Sequence, residues 1–206
     1  MKQTNWKRRA LAGLLALVLC FAFAPLSSFA AEEYDTQGAT VFLFSDGGIS
    51  VNKGNYEGYQ ISGTALTISE GGTYVLSGSC ADGSVTVKKG TKGVTLVLEG
   101  ISLTSADTAP LCFNKSTEVT VVVASGTQNT LSDSEKNNDD TYPENERAEN
   151  AVLKCKDGSA VTLCGGGALS LSANGKNGIK SGASTEEEGE ASLTIRQLTL
   201  NITAQV

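Results

Sequence analysis

"VTLVLEGISLTS" (Val94–Ser105), "VTVVVASGTQNTLS" (Val119–Ser132), "VTLCGGGALSLSAN" (Val161–Asn174) and "LTIRQLTLNITA" (Leu193–Ala204) are variants of one unit. Each joins a β-branched run to a second run of alternating apolar residues. A shorter element precedes each: "SVTVKKG" (Ser84–Gly90), "APLCFNK" (Ala109–Lys115), "NAVLKCK" (Asn150–Lys156) and "NGIKSG" (Asn177–Gly182). A unit of this size repeated in order implies stacked repeats, each burying its apolar face against its neighbours. Period-two alternation points Val94, Leu96, Leu98, Ile101 and Leu103 inward and Thr95 and Glu99 outward. In the last unit Leu193, Ile195, Leu198, Leu200 and Ile202 face in, and Thr194, Arg196, Thr199, Asn201 and Thr203 face out. The expected fold is all-β, a parallel β-helix with three strands per coil. A β-sandwich is the alternative, but it does not explain why equivalent strands recur in the same order.

Outward from the repeats, "TVFLFSDGGISVNKG" (Thr40–Gly54) reads as two strands around a Gly-Gly turn, and "ALTISEGGTYVLSGSCADGSVTVKKG" (Ala65–Gly90) has the same grammar. The first thirty residues read as a secretory signal peptide. A basic start (Lys2, Lys7, Arg8, Arg9) leads into the apolar Leu11–Phe23, and Ser28-Phe29-Ala30 places cleavage after Ala30. The expected mature protein is therefore secreted or held at the cell surface. It spans residues 31–206 and is the N-terminal portion of a longer domain, because Val206 follows a well-patterned strand with no polar cap.

Twelve basic residues then face 22 acidic ones, a net charge of −10. That balance argues against nucleic acid or anionic lipid as a partner, and no second apolar stretch is long enough to span a membrane. The chain has no His, which removes the commonest general base and metal ligand together. Cys80, Cys112, Cys155 and Cys164 remain after cleavage. They allow three disulfide pairings, or serve as small buried hydrophobes. Cys155 shares the inward parity of Ala151 and Leu153, and Cys164 the outward parity of Thr162. "CGGGA" (Cys164–Ala168) reads as a tight corner between strands.

The insertion "SDSEKNNDDTYPENERAE" (Ser132–Glu149) carries seven acidic residues and almost nothing apolar. It reads either as a solvated loop at a coil corner or as an irregular calcium site, since Ca²⁺ takes six to eight oxygens from carboxylates, carbonyls and water. The candidate ligands are Asp133, Asp139, Asp140, Glu149, Asn150 and Asn177. A second acidic tract, Glu186–Glu190, reads as solvated. Arg196, Lys154 and Lys180 are the candidate substrate-binding cations. No hydrolase triad is possible without His.

The run "GGTYVLSGSCADGSVTVKKGTKGVTLVLEGISLTSADTAPLCFNKSTEVTVVVASGTQNTLSDS" (Gly71–Ser134) resembles exported bacterial carbohydrate-binding domain-containing proteins. The resemblance continues through "NAVLKCKDG" and "NGIKSG". It implies a right-handed parallel β-helix like that of pectate lyases, bound calcium, and binding of acidic sugar polymers such as polygalacturonate. Asn177 stands where members often place Asp, and family chains are usually longer. The expected function is non-catalytic binding of uronate-rich polysaccharide through calcium. The alternatives are a calcium-dependent polysaccharide lyase and a structural or adhesive surface repeat protein.

Overall fold

The computed structural model describes residues 35–55, 57–182 and 189–204. The expected signal peptide and most of the Glu186–Glu190 tract lie outside them. Among the described residues every regular element is a strand. The first four are β1 (Thr40–Ser45), β2 (Gly48–Lys53), β3 (Tyr59–Ser62) and β4 (Ala65–Ile68). After them come β5 (Gly72–Cys80), β6 (Ser84–Val87), β7 (Val94–Ser105) and β8 (Leu111–Phe113). The remaining eight are β9 (Glu118–Val123), β10 (Gln128–Asp133), β11 (Ala151–Cys155), β12 (Ala160–Gly165), β13 (Ala168–Ala173), β14 (Asn177–Ser181), β15 (Ser192–Ile195) and β16 (Thr199–Ala204).

The repeats become three parallel ladders. Strands β4, β6, β8, β11 and β14 pair in that order. The first half of β7 continues through β9, β12 and β15. The second half continues through β10, β13 and β16. Each unit thus gives one strand to each ladder, and parallel pairing in register makes equivalent side chains neighbours. Leu66, Val85, Leu111, Leu153 and Ile179 form one interior column. Tyr74, Leu96, Val121, Leu163 and Ile195 form a second, and Leu103, Leu131, Leu171 and Ile202 a third. Most of these side chains are fully buried in one core, each worth about 1.5–3 kcal/mol of apolar burial.

The sheets are mixed rather than purely parallel. β1 and β2 pair antiparallel, as the Gly-Gly turn implies, and so do β3 and β4. The expected second hairpin within Ala65–Gly90 does not form. β4 pairs with β3 and β6, while β5 joins β1 and β7 in the other sheet.

Alternation is obeyed in the early repeat and relaxed in the last. Val94, Leu96, Leu98, Ile101 and Leu103 are all buried, whereas Ile195 and Ile202 are 46% and 48% exposed. No described strand lies beyond β15 or β16 in either ladder. Parity also fails to expose Cys164. It has outward parity, yet it stacks in register with Val122, Val97, Val75 and Val41 to form a second apolar row, and it is 1% exposed.

All four described cysteines are free and buried. Cys112 lies in register with Lys154, and Cys155 with Phe113, so these two thiols take opposite parities and cannot meet. Burial pushes each up to about 12. The "CGGGA" stretch is a corner where backbones touch: a Cβ on Gly165 would sit 2.2 Å from the Val123 carbonyl oxygen, and one on Gly167 2.2 Å from that of Ala124.

Candidate functional site

The acidic insertion is not a solvated bulge. It folds across the end of β10 and the start of β11 and is tied to the repeats on both sides. Asn137, 0% exposed, is its centre. Its Nδ2 donates to Asp133 Oδ2 at 2.8 Å and to the Ala151 carbonyl at 2.9 Å. Its Oδ1 accepts from the N–H groups of Glu149 at 2.6 Å and Asn150 at 3.1 Å. All four hydrogen-bonding positions of the amide are filled, as burial requires.

Asp133 reaches forward into the next repeat. Its Oδ1 accepts from the N–H groups of Asn174 at 2.7 Å and Gly175 at 3.1 Å. Asn138 follows the same direction, donating to the Gly175 carbonyl at 3.0 Å. Asn145 and Arg147 reach back: Asn145 donates to the Asp107 carbonyl at 2.7 Å, and Arg147 Nη1 sits 2.9 Å from Asp107 Oδ2. Aspartates fasten the preceding corners in the same manner. Asp46 accepts from the Ala81 N–H at 2.7 Å and Asp82 from the Ala106 N–H at 3.0 Å.

The six candidate metal ligands lie near this corner but do not form one cage. Both Asp133 oxygens are consumed inside the fold. Asn150 holds positive φ (62°) and its Oδ1 accepts from the Asp139 N–H at 3.0 Å. Asn177 donates to the Asn150 carbonyl at 2.7 Å. Glu149 pairs with Lys156 at 2.6 Å, and Asp140 pairs with Lys176. Among the described residues no group of three or more His, Cys, Asp or Glu is placed to hold a metal ion. The outermost carboxylates belong to Asp139 and Asp140. A hydrogen bond with Asn150 holds the Asp139 carboxyl below its ordinary range, helped by the charges of Lys176 and Lys180.

Two of the three candidate cations come together. Lys154 and Lys180 are register partners on β11 and β14, in the outward column that also contains Thr86 and Cys112. Burial lowers the Lys154 pKa, and the neighbouring Lys180 charge lowers it further. Lys156 follows on the same edge; burial pulls it down too, but its hydrogen bond with Glu149 outweighs that and raises it. Arg196 does not join them: it lies just past β15, in the other sheet, and is exposed.

Among the described residues Tyr59, Tyr74 and Phe113 do not assemble into one stacking surface. Tyr74 and Phe113 are in the core, and Tyr59 packs edge-on against Phe42 with ring centroids 4.9 Å apart.

Parallel ladders, a corner rich in carboxylates and amides, and an outward lysine pair describe an all-β binding scaffold without a hydrolytic triad. The profile of the family described as "Carbohydrate-binding domain-containing protein" matches residues 62–206. The chain belongs to that family. A protein of the same description from Acetivibrio thermocellus is 32% identical over 130 residues, 63% of this chain and 44% of the relative; the chain therefore spans under half of that relative's length. The fold is similar to a polysaccharide lyase-like protein from C. thermocellum, with TM-score 0.58 and 23% identity, covering 82% of this chain and 71% of that one. At that identity the likeness concerns fold alone.

Proposed function

We propose that the protein is an exported, non-catalytic module that binds acidic, uronate-rich polysaccharide. On this reading the three ladders wind as a right-handed parallel β-helix, and the glycan lies across the outward face of β11 and β14. The observation that carries it is the in-register pair Lys154–Lys180. Two cations on adjacent strands, about 4.8 Å apart along the ladder, repel each other and gain from an anion laid between them. Family membership supports a carbohydrate as that anion.

Calcium enters this reading as an ion shared with the glycan. The residues present do not fit a cage made by the protein alone, so Asp139 and Asp140 supply its carboxylates and the polysaccharide supplies the rest. A net charge of −10 meeting a polyanion favours such a bridge. Titration calorimetry with polygalacturonate, with and without EDTA, tests both parts. Binding that weakens with Lys154→Gln and with chelation supports them. Binding that ignores chelation removes the bridge, and no binding at all removes the acidic-glycan reading. A lyase is the rival reading; unsaturated product formed from pectate in calcium would favour it.

A further inference from the structure

A polar cleft of about 340 Å³ opens two rungs before the lysine pair, with β8 between them. Four segments line it: Ser62, Thr64 and Ala65 around the β3–β4 turn, Asp82 to Ser84 leading into β6, Ser105 closing β7, and Arg147 from the insertion. Its volume lies in the range of small-ligand sites, but it lacks their apolar lining. Its occupant must therefore be densely polar.

Two features separate this cleft from an ordinary surface crease. Ser105 and Ser84 are 1% and 8% exposed, and both line it. Among the described residues only Ser159 Oγ is a buried side-chain polar atom without a partner, so neither hydroxyl carries an unmet cost; both stand as small donors and acceptors in the cleft wall. The backbone around them is already paired. The Gly83 N–H donates to the Thr104 carbonyl at 2.7 Å and the Ser84 N–H to the Thr64 carbonyl at 3.2 Å. Recognition therefore falls to side chains. Asp82 uses Oδ1 on the Ala106 N–H, leaving Oδ2 to accept. Arg147 contacts Asp107 through Nη1 alone, and a guanidinium carries five donors.

We infer that this cleft is a subsite for one uronic-acid ring, with its carboxylate at Arg147 and its hydroxyls on Asp82, Ser84, Ser105 and Thr64. This rests on the acidic-glycan reading and gives it a second, calcium-independent contact point. Arg147 is the carboxylate reader, since a planar fork suits a carboxylate better than an ammonium does. Asp82 is the hydroxyl acceptor and selects a ring over a simple carboxylate.

Calorimetry in EDTA with digalacturonate as probe tests the assignment on the intact chain. The wild type should bind one equivalent. Arg147→Gln and Ser84→Val should each weaken binding about tenfold or more, a loss of about 1.4 kcal/mol, while Lys92→Gln, at an exposed position before β7, leaves it unchanged. Melting curves of the variants check that they fold; Arg147 is 62% exposed and its ion pair contributes little. Digalacturonate binding that is insensitive to both cleft variants overturns the proposal. So does binding of digalactose as tight as that of digalacturonate. If polygalacturonate binds and digalacturonate does not, the cleft assignment falls and the polysaccharide reading stands. If neither binds, both fall.

Discussion

Tyr74, Leu96, Val121 and Leu163 hold successive rungs together by stacking apolar side chains in register within the core. Asp133 and Asn137 join the same rungs at the corner through buried polar atoms, each oxygen and N–H matched to a partner. The interior tolerates exchange of one aliphatic for another of similar volume. The corner does not, because its stabilisation depends on every member being present. A repeat fold can thus be forgiving along its core and brittle where an insertion crosses it.

The largest expected effect lies in the interior. Phe113→Ala removes a fully buried ring and should cost about 3–5 kcal/mol, read as a shift in the urea unfolding midpoint. Asn137→Ala should approach that value at roughly 3 kcal/mol, because it strips partners from Asp133, the Ala151 carbonyl and two backbone N–H groups. A cost below about 0.5 kcal/mol, typical of a surface change, would make the insertion a passive cover and erase the contrast. Limited proteolysis adds a second readout: cleavage between residues 138 and 148 should appear in Asn137→Ala and not in Phe113→Leu.

The two regions also differ in how much the sequence revealed. Strand positions and interior columns were legible because period-two alternation in Val94–Ser105 and its copies leaves one arrangement that buries all the aliphatics. The alternation did not reveal that Val97, Val122 and Cys164 form a second apolar row; outward parity reads as exposed unless a neighbouring element covers it. At the candidate site Lys154 and Lys180 were legible as cations but their pairing was not: "NAVLKCK" and "NGIKSG" aligned on their first Asn set the lysines one residue apart, whereas Ala151 pairs with Asn177. The role of Asn137 was not legible either: in a run of Asn, Asp and Glu nothing local marks which amide is swallowed. Asp133 read as a metal ligand because a carboxylate satisfied by backbone N–H groups looks, in sequence, like any other. Asp82 was missed for the same reason, although "SDG", "ADG" and "SDS" following β1, β5 and β10 repeat the signal.

A smaller effect should appear with pH. Cys112 and Cys155 are raised by burial, to about 12 from 9.0. An acid whose folded-state pKa lies above its unfolded value holds its proton more tightly when folded. Its contribution is whole below about pH 9 and is lost as pH climbs toward about 12. The urea midpoint should therefore fall across that alkaline window, and Cys112→Val should flatten the fall. A midpoint constant from pH 9 to 11 would mean that the thiols are wetter than the core around them.

The smallest effect on folding is expected from the lysine pair, and that smallness makes it diagnostic. Lys154 is partly desolvated and repelled by Lys180, so replacing it relieves a cost while removing little packing. Lys154→Gln should leave the unfolding free energy within about 0.5 kcal/mol of wild type or raise it slightly. Polygalacturonate affinity should fall about tenfold, and its salt dependence should become shallower as one ionic contact is lost. Stability given up at a pair that does not help the fold points to selection for binding. If Lys154→Gln instead destabilised the protein and left affinity alone, the pair would belong with Asp133 and Asn137, as one more fastening between rungs.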